Sequence, residues 1–126
     1  MDYGTVAFIG GGNMARALAG GMLAAGYEPR HIVISEPLAE QRNRLAVELP
    51  GAVVVEHNEE AAREAECVLL AVKPQVLSDV CRPLAPIVQQ TRPLVISIAA
   101  GVRARDIEDW LGGNLPVVRV MPNQPA

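Results

Sequence analysis

Apolar residues fall along this chain in short unbroken runs, and between the runs they thin out to every third or fourth position. Thr5–Ile9, His31–Ser35 ("HIVIS"), Val53–Val55, Cys67–Val72 ("CVLLAV"), Leu94–Ile98 and Val117–Val120 are the runs. Their length and their Val and Ile content predict six strands. Asn13–Ala25 repeats Met14, Leu18, Met22 and Ala25 at helical spacing and stops at Gly26. Leu38–Leu49 predicts a second helix, closed by Pro50-Gly51. Asn58 reads as an N-cap, with Glu59 and Glu60 in the first turn, where the helix dipole favours negative charge. Gln75–Gln90 predicts a further helix that Pro83 and Pro86 should interrupt, and Arg103–Leu111 a short last one.

Strands that alternate with helices define the α/β class, and right-handed crossovers prune the topology. The expected architecture is a Rossmann-type doubly wound, mainly parallel sheet of about six strands, with helices on both faces and strand order 3-2-1-4-5-6. Half the residues are apolar, but there are only one Phe, one Trp and two Tyr, so the core must be built from Val, Ile, Leu and Ala. That fits a buried parallel sheet under alanine-rich helices. Residues 1–126 read as a single dinucleotide-binding domain with no linker or repeat.

Charge and cysteine content narrow the function classes. The net charge is −3 with no basic block, which argues against a nucleic-acid partner. No apolar run approaches the roughly 20 residues that span a bilayer, so no membrane partner is expected. Cys67 and Cys81 lack C-x-x-C spacing and read as reduced, buried thiols, which points to the cytoplasm. No histidine, cysteine or carboxylate group has metal-ligand spacing, so no metal is expected. His31 and His57 stand alone and read as structural or solvated. No catalytic residue is identified.

The chemistry-bearing signal is "VAFIGGGNMARALAGG", Val6 to Gly21. Gly10, Gly12 and Ala15 match G-x-G-x-x-G/A between a strand and a helix. Gly10 permits the tight turn, Gly12 lets the backbone approach a pyrophosphate, and Ala15 lets helix and sheet pack closely. The unpaired N–H groups of the helix start then face anionic oxygens. At the end of the second strand, Glu36 can accept from the adenosine ribose hydroxyls and repel a 2′-phosphate. Ser35, Arg42 and Arg44 could instead serve that phosphate, so the cofactor stands as NADPH or NADH. Two more loops leave the carboxyl ends of strands: Ala71, Val72, Lys73 and Pro74 after the fourth, and Ala99, Ala100 and Gly101 after the fifth. Their small residues would let a flat nicotinamide ring lie against backbone, while Lys73 is equally well a plain surface lysine.

Four blocks, "FIGGGNMARALAGGM", "AVKPQVL", "VISIAAGV" and "VVRVMPNQPA", occur here in an order that resembles the amino-terminal domain of the pyrroline-5-carboxylate reductase family. The resemblance runs from Val6 to Ala126. It implies that Ile9, Gly10, Gly11, Gly12, Asn13 and Met14 line the pyrophosphate. It places Ser35 at the ribose or its 2′-phosphate and Asn58 on the adenosine side. Ala71 to Pro74 and Ala99 to Gly101 then line the nicotinamide half, and Met121, Pro122 and Asn123 border the meeting point of cofactor and substrate. The implied reaction moves a hydride from NAD(P)H to the imine carbon of 1-pyrroline-5-carboxylate, giving L-proline. Family members continue into a helical domain that builds a homo-oligomer and supplies much of the substrate pocket. Nothing resembling it is present here, so catalytic residues are expected mainly in that absent part, and the isolated chain is expected to be weakly active or inactive. The chain departs from the pattern at Gln124, where the family has Thr, and at Glu36, which is more acidic than NADPH-preferring members suggest. A non-catalytic NAD(P)-binding module, or the cofactor domain of another β-hydroxyacid or prephenate-type dehydrogenase, are the competing readings.

Overall fold

Strand registers carry the architecture of this computed structural model, which describes residues 4–120. Six strands, β1 (Val6–Ile9), β2 (Ile32–Ser35), β3 (Val53–Val55), β4 (Cys67–Leu70), β5 (Leu94–Ser97) and β6 (Val117–Arg119), form one sheet in the order β3-β2-β1-β4-β5-β6. Every pairing is parallel, and Ile9 lies level with both Ser35 and Leu70, as Leu70 does with Ser97. The carboxyl ends of the central strands therefore open along one edge. This is the Rossmann-type order expected from the sequence.

Successive strand residues face opposite sides of the sheet, and each side has its own helices. Ala7, Ile9, Val68, Leu70 and Val95 pack under α3 (Asn58–Ala62), α4 (Leu77–Thr91) and α5 (Ala104–Trp110). Phe8, Ile32, Ile34 and Leu69 pack under α1 (Asn13–Ala24) and α2 (Ala39–Glu48). Ala15 and Ala19 are the buried residues of α1, and their small side chains bring it close to the sheet. At the outer end of this second face Leu94, Val118 and Val120 remain about half exposed. No helix among the described residues is long and apolar enough to cross a membrane.

Two local expectations are corrected. Pro83 and Pro86 do not interrupt α4, which runs unbroken from Leu77 to Thr91. Both prolines lie on its exposed side, while Leu77, Cys81, Leu84 and Val88 form a buried stripe. Carbonyls deprived of a partner by proline face water there, and burial of the stripe outweighs the lost bonds. Asn58 does not cap α3: His57 holds the N-cap position, and Asn58 opens the helix with its side chain turned to Ser35. In addition, His31 ends a short 3-10 turn, Pro29–His31, one residue ahead of β2. Cys81 is buried as expected, whereas Cys67 is only partly so.

Two outcomes test this packing. Leu84→Ala, a truncation at a fully buried site, should lower unfolding free energy by roughly 2–5 kcal/mol in urea titrations. The second concerns Cys81, whose thiol burial pushes up from 9.0 to about 12. The unfolded chain ionises that thiol first, so its contribution to stability is complete below pH 9 and is lost as pH rises towards 12. Urea midpoints measured from pH 8 to 11 should fall more steeply for the parent chain than for Cys81→Ala.

Candidate dinucleotide site

β1 ends at Ile9, and the chain must turn at once to start α1. Gly10 makes the turn at φ 106°, and its N–H donates to the Ser35 carbonyl at 3.1 Å. A Cβ here would lie 2.9 Å from the Ala71 carbonyl oxygen, so both conformation and space require glycine. At Gly11 a Cβ would meet Leu45 Cδ1 at 2.9 Å and Glu36 Oε1 at 3.0 Å. Gly12 differs: it is the N-cap of α1, in extended conformation, and a Cβ would touch nothing within 4 Å. No side chain caps α1, and Gly12, Asn13 and Met14 are exposed. The first N–H groups of a helix have no intrahelical partner, and they and the dipole favour an anion. The open space above Gly12 is therefore a cradle of the right charge for a pyrophosphate.

The facing wall comes from β4 and β5. The Ala71 N–H donates to the Ile9 carbonyl at 2.9 Å, and the Ala99 N–H to Ser97 Oγ at 3.2 Å, which hold the two loops in place. A groove of about 360 Å³ runs between Gly12, Asn13 and Met14 on one side and Ala71 to Pro74 with Ala99 and Ala100 on the other. Ile98 also lines it. Sequence reading missed Ile98 because it looks like the last residue of an apolar strand. Its position one step beyond β5 was the available signal. Gly101 lies outside the groove lining, exposed and at φ 75°. Ile9 is fully buried in the core with its carbonyl occupied by Ala71, so it shapes the turn from beneath. Lys73 is exposed at the rim, at the N-cap of a 3-10 turn, Pro74–Val76. Met121, Pro122, Asn123 and Gln124 fall outside the described residues.

A second cluster sits at the ends of β2 and β3. Ser35 is fully buried, and its hydroxyl donates to Asn58 Oδ1 at 2.5 Å. The Glu36 N–H donates to the Val55 carbonyl at 2.9 Å, which extends the sheet. Its carboxylate Oε2 accepts the Leu38 N–H at 3.0 Å. Arg42 Nη1 donates to the carbonyls of Glu36 at 3.0 Å and Pro37 at 2.9 Å. Arg16 on α1 grips Glu48 on α2 through both carboxylate oxygens. That hydrogen bond holds the Glu48 carboxyl below its ordinary pKa, and attraction to Arg16 and Arg44 acts in the same direction.

Another hollow, about 490 Å³, opens towards the amino ends of β1, β2 and β3, where Arg30, His31 and Arg63 surround Val33, Val53 and Val55. It exists because α3 is only five residues long and leaves the sheet partly bare. It is remote from the strand ends where ligands of open parallel sheets bind. Among the described residues no three histidine, cysteine or acidic side chains are grouped to hold a metal.

A glycine turn and open helix end at the switch between β1 and β4, with an acidic residue after β2, define a Rossmann-type dinucleotide-binding domain. Residues 5–101 match the family model described as NADP oxidoreductase, coenzyme F420-dependent, and the chain belongs to that family. It is 49% identical over 126 residues to a pyrroline-5-carboxylate reductase of Pseudomonas aeruginosa, covering 100% of this chain and 45% of that protein. A solved pyrroline-5-carboxylate reductase from Coxiella burnetii superposes with a TM-score of 0.91 at 39% identity, over 97% of this chain and 45% of that one. The pyrroline carboxylate reductase of Plasmodium falciparum, solved with NADP bound, gives 0.81 at 27% identity, over 98% and 44%. The chain thus spans a little under half the length of the relatives it matches.

Gly10→Ala tests the turn. Strain at positive φ should cost about 1–3 kcal/mol, before the contact with Ala71 is counted. Thermal and urea unfolding of this variant, set beside Gly26→Ala, where φ is 98° but space is open, should show the larger loss at position 10.

Proposed function

We propose that this chain is the cofactor-binding portion of a pyrroline-5-carboxylate reductase, an NAD(P)H-dependent oxidoreductase of proline biosynthesis. The groove between the open end of α1 and the loops after β4 and β5 carries this reading. When bound there, NAD(P)H supplies a hydride to the imine carbon of 1-pyrroline-5-carboxylate, which becomes L-proline. The residues of this chain bind and orient. Main-chain N–H groups at the start of α1 hold the pyrophosphate, and Glu36 stands where the adenosine ribose enters. The narrow side chains of Ala71, Ala99 and Ala100 leave room for a planar ring between the two loops. A protonated imine is already a good electrophile, so alignment of two rings provides much of the catalysis.

The half of the relatives' length with no counterpart here is where we place the carboxylate grip on the substrate and the contacts between subunits. The two free cysteines, Cys67 and Cys81, fit a reducing compartment, the cytoplasm.

The reading predicts binding without efficient turnover. Nicotinamide fluorescence should report saturable binding of NADH or NADPH to the 126-residue chain, while pyrroline-5-carboxylate reduction stays near background. Gly12→Val should fold normally, having open space at its Cβ, and weaken that binding by at least about tenfold, or 1.4 kcal/mol. Full reductase turnover by this chain alone, or unchanged affinity in the variant, would defeat the reading.

A further inference from the structure

We infer that the site selects a dinucleotide whose adenosine 2′-hydroxyl is free, NADH, over the 2′-phosphorylated form, and that Glu36 is the selecting residue. This rests on the reading of the chain as a nicotinamide-dinucleotide binder. Glu36 is the first residue after β2, and its carboxylate lies beside the glycine turn. Oε2 accepts the Leu38 N–H at 3.0 Å, and Oε1 lies 3.0 Å from where a Gly11 Cβ would stand. A side chain at 11 would crowd both the carboxylate and Leu45, so glycine there does more than complete a turn: it leaves the acid room to lie against the loop. Glu36 is only 9% exposed, yet Oε1 has no hydrogen bond to the described protein, and no buried side-chain oxygen lacks a partner. Oε1 therefore reaches solvent beside the glycine turn, free to accept from a ribose hydroxyl.

A 2′-phosphate would bring about two negative charges to that oxygen and needs cations or donors to compensate. The Ser35 hydroxyl, the Arg16 guanidinium and Nη1 of Arg42 are already engaged. Ser35 is fully buried and gives its proton to Asn58. Arg42 spends Nη1 on the carbonyls of Glu36 and Pro37, bracing the very turn that carries Glu36. Arg16 is paired with Glu48, and Arg44 lies close enough to Glu48 to help hold its carboxyl low. Recruiting Ser35, Arg16 or Nη1 of Arg42 for a phosphate breaks an existing contact, whereas a hydroxyl that donates to Oε1 of Glu36 breaks none. NADP in the Plasmodium relative belongs to a chain only 27% identical to this one; the selection argued here is a property of Glu36 and its surroundings.

Calorimetric titration of the intact chain with ADP-ribose and with 2′-phospho-ADP-ribose isolates this half of the ligand, and NADH and NADPH repeat the comparison on whole cofactors. The unphosphorylated member of each pair should bind at least about tenfold tighter, or 1.4 kcal/mol. Glu36→Gln keeps an acceptor for Leu38 and removes the charge, so the preference should shrink at least fivefold. Salt gives a second measure that needs no variant. Repulsion is screened by salt and attraction is weakened by it, so the preference should narrow between 50 and 500 mM salt. Equal or tighter binding of the phosphorylated ligands, or a preference that widens with salt, overturns the inference. A preference unchanged in a folded Glu36→Gln chain removes Glu36 as its source. Binding of both ligands without preference defeats this inference alone, while failure of either to bind defeats the dinucleotide reading with it.

Discussion

The close passage of the glycine turn over the end of β4 is the constraint from which the rest of the site follows. Gly10 must make its turn with its main chain almost touching Ala71, and its N–H must reach back to the carbonyl of Ser35. That single residue ties together the carboxyl ends of β1, β2 and β4. It also aims the first turn of α1 into the gap between them. Parallel pairing makes this geometry available, because it places all the strand ends on one edge. An antiparallel sheet would scatter the same loops to both edges.

Polar groups around the site divide into those that build it and those left open. The carbonyls of Ile9, Ser35, Glu36 and Pro37, the Ser35 hydroxyl and Nη1 of Arg42 are all used within the protein. The amino end of α1 and one oxygen of Glu36 are not. A ligand that presents phosphate oxygens to the first and hydroxyls to the second meets groups with unmet bonding capacity. A polar surface made this way recognises by main-chain donors and one fixed charge, and it tolerates the small side chains of Ala71, Ala99 and Ala100 that line the rest.

Legibility differed by residue for physical reasons. Strand order, parallel direction and the glycine turn were readable because each depends on local pattern: apolar runs, helical spacing and small residues at fixed offsets. Continuity of α4 through Pro83 and Pro86 was not readable. It depends on which side of the helix faces water, and that is settled by packing of Leu77, Cys81, Leu84 and Val88 against a distant strand. Asn58 misled as a cap for a similar reason. Its side chain finds Ser35, 23 positions away in sequence, closer to hand than its own helix start. Ile98 was hidden because an apolar residue at a strand end looks the same whether it enters the core or lines a groove.

By itself, then, the order of residues determined the class of fold, the place of the turn and the chemical kind of ligand, since short-range sterics and hydrophobic periodicity act between neighbours along the chain. Tertiary structure alone decided which groups remain available to that ligand. Glu36, Ser35, Arg42 and Arg44 all stand as candidate partners when read as letters. The approach of Asn58 to β2 takes the Ser35 proton, and the folding of α2 back onto the turn after β2 takes Nη1 of Arg42, because a hydrogen bond, once made, removes its donor from further use.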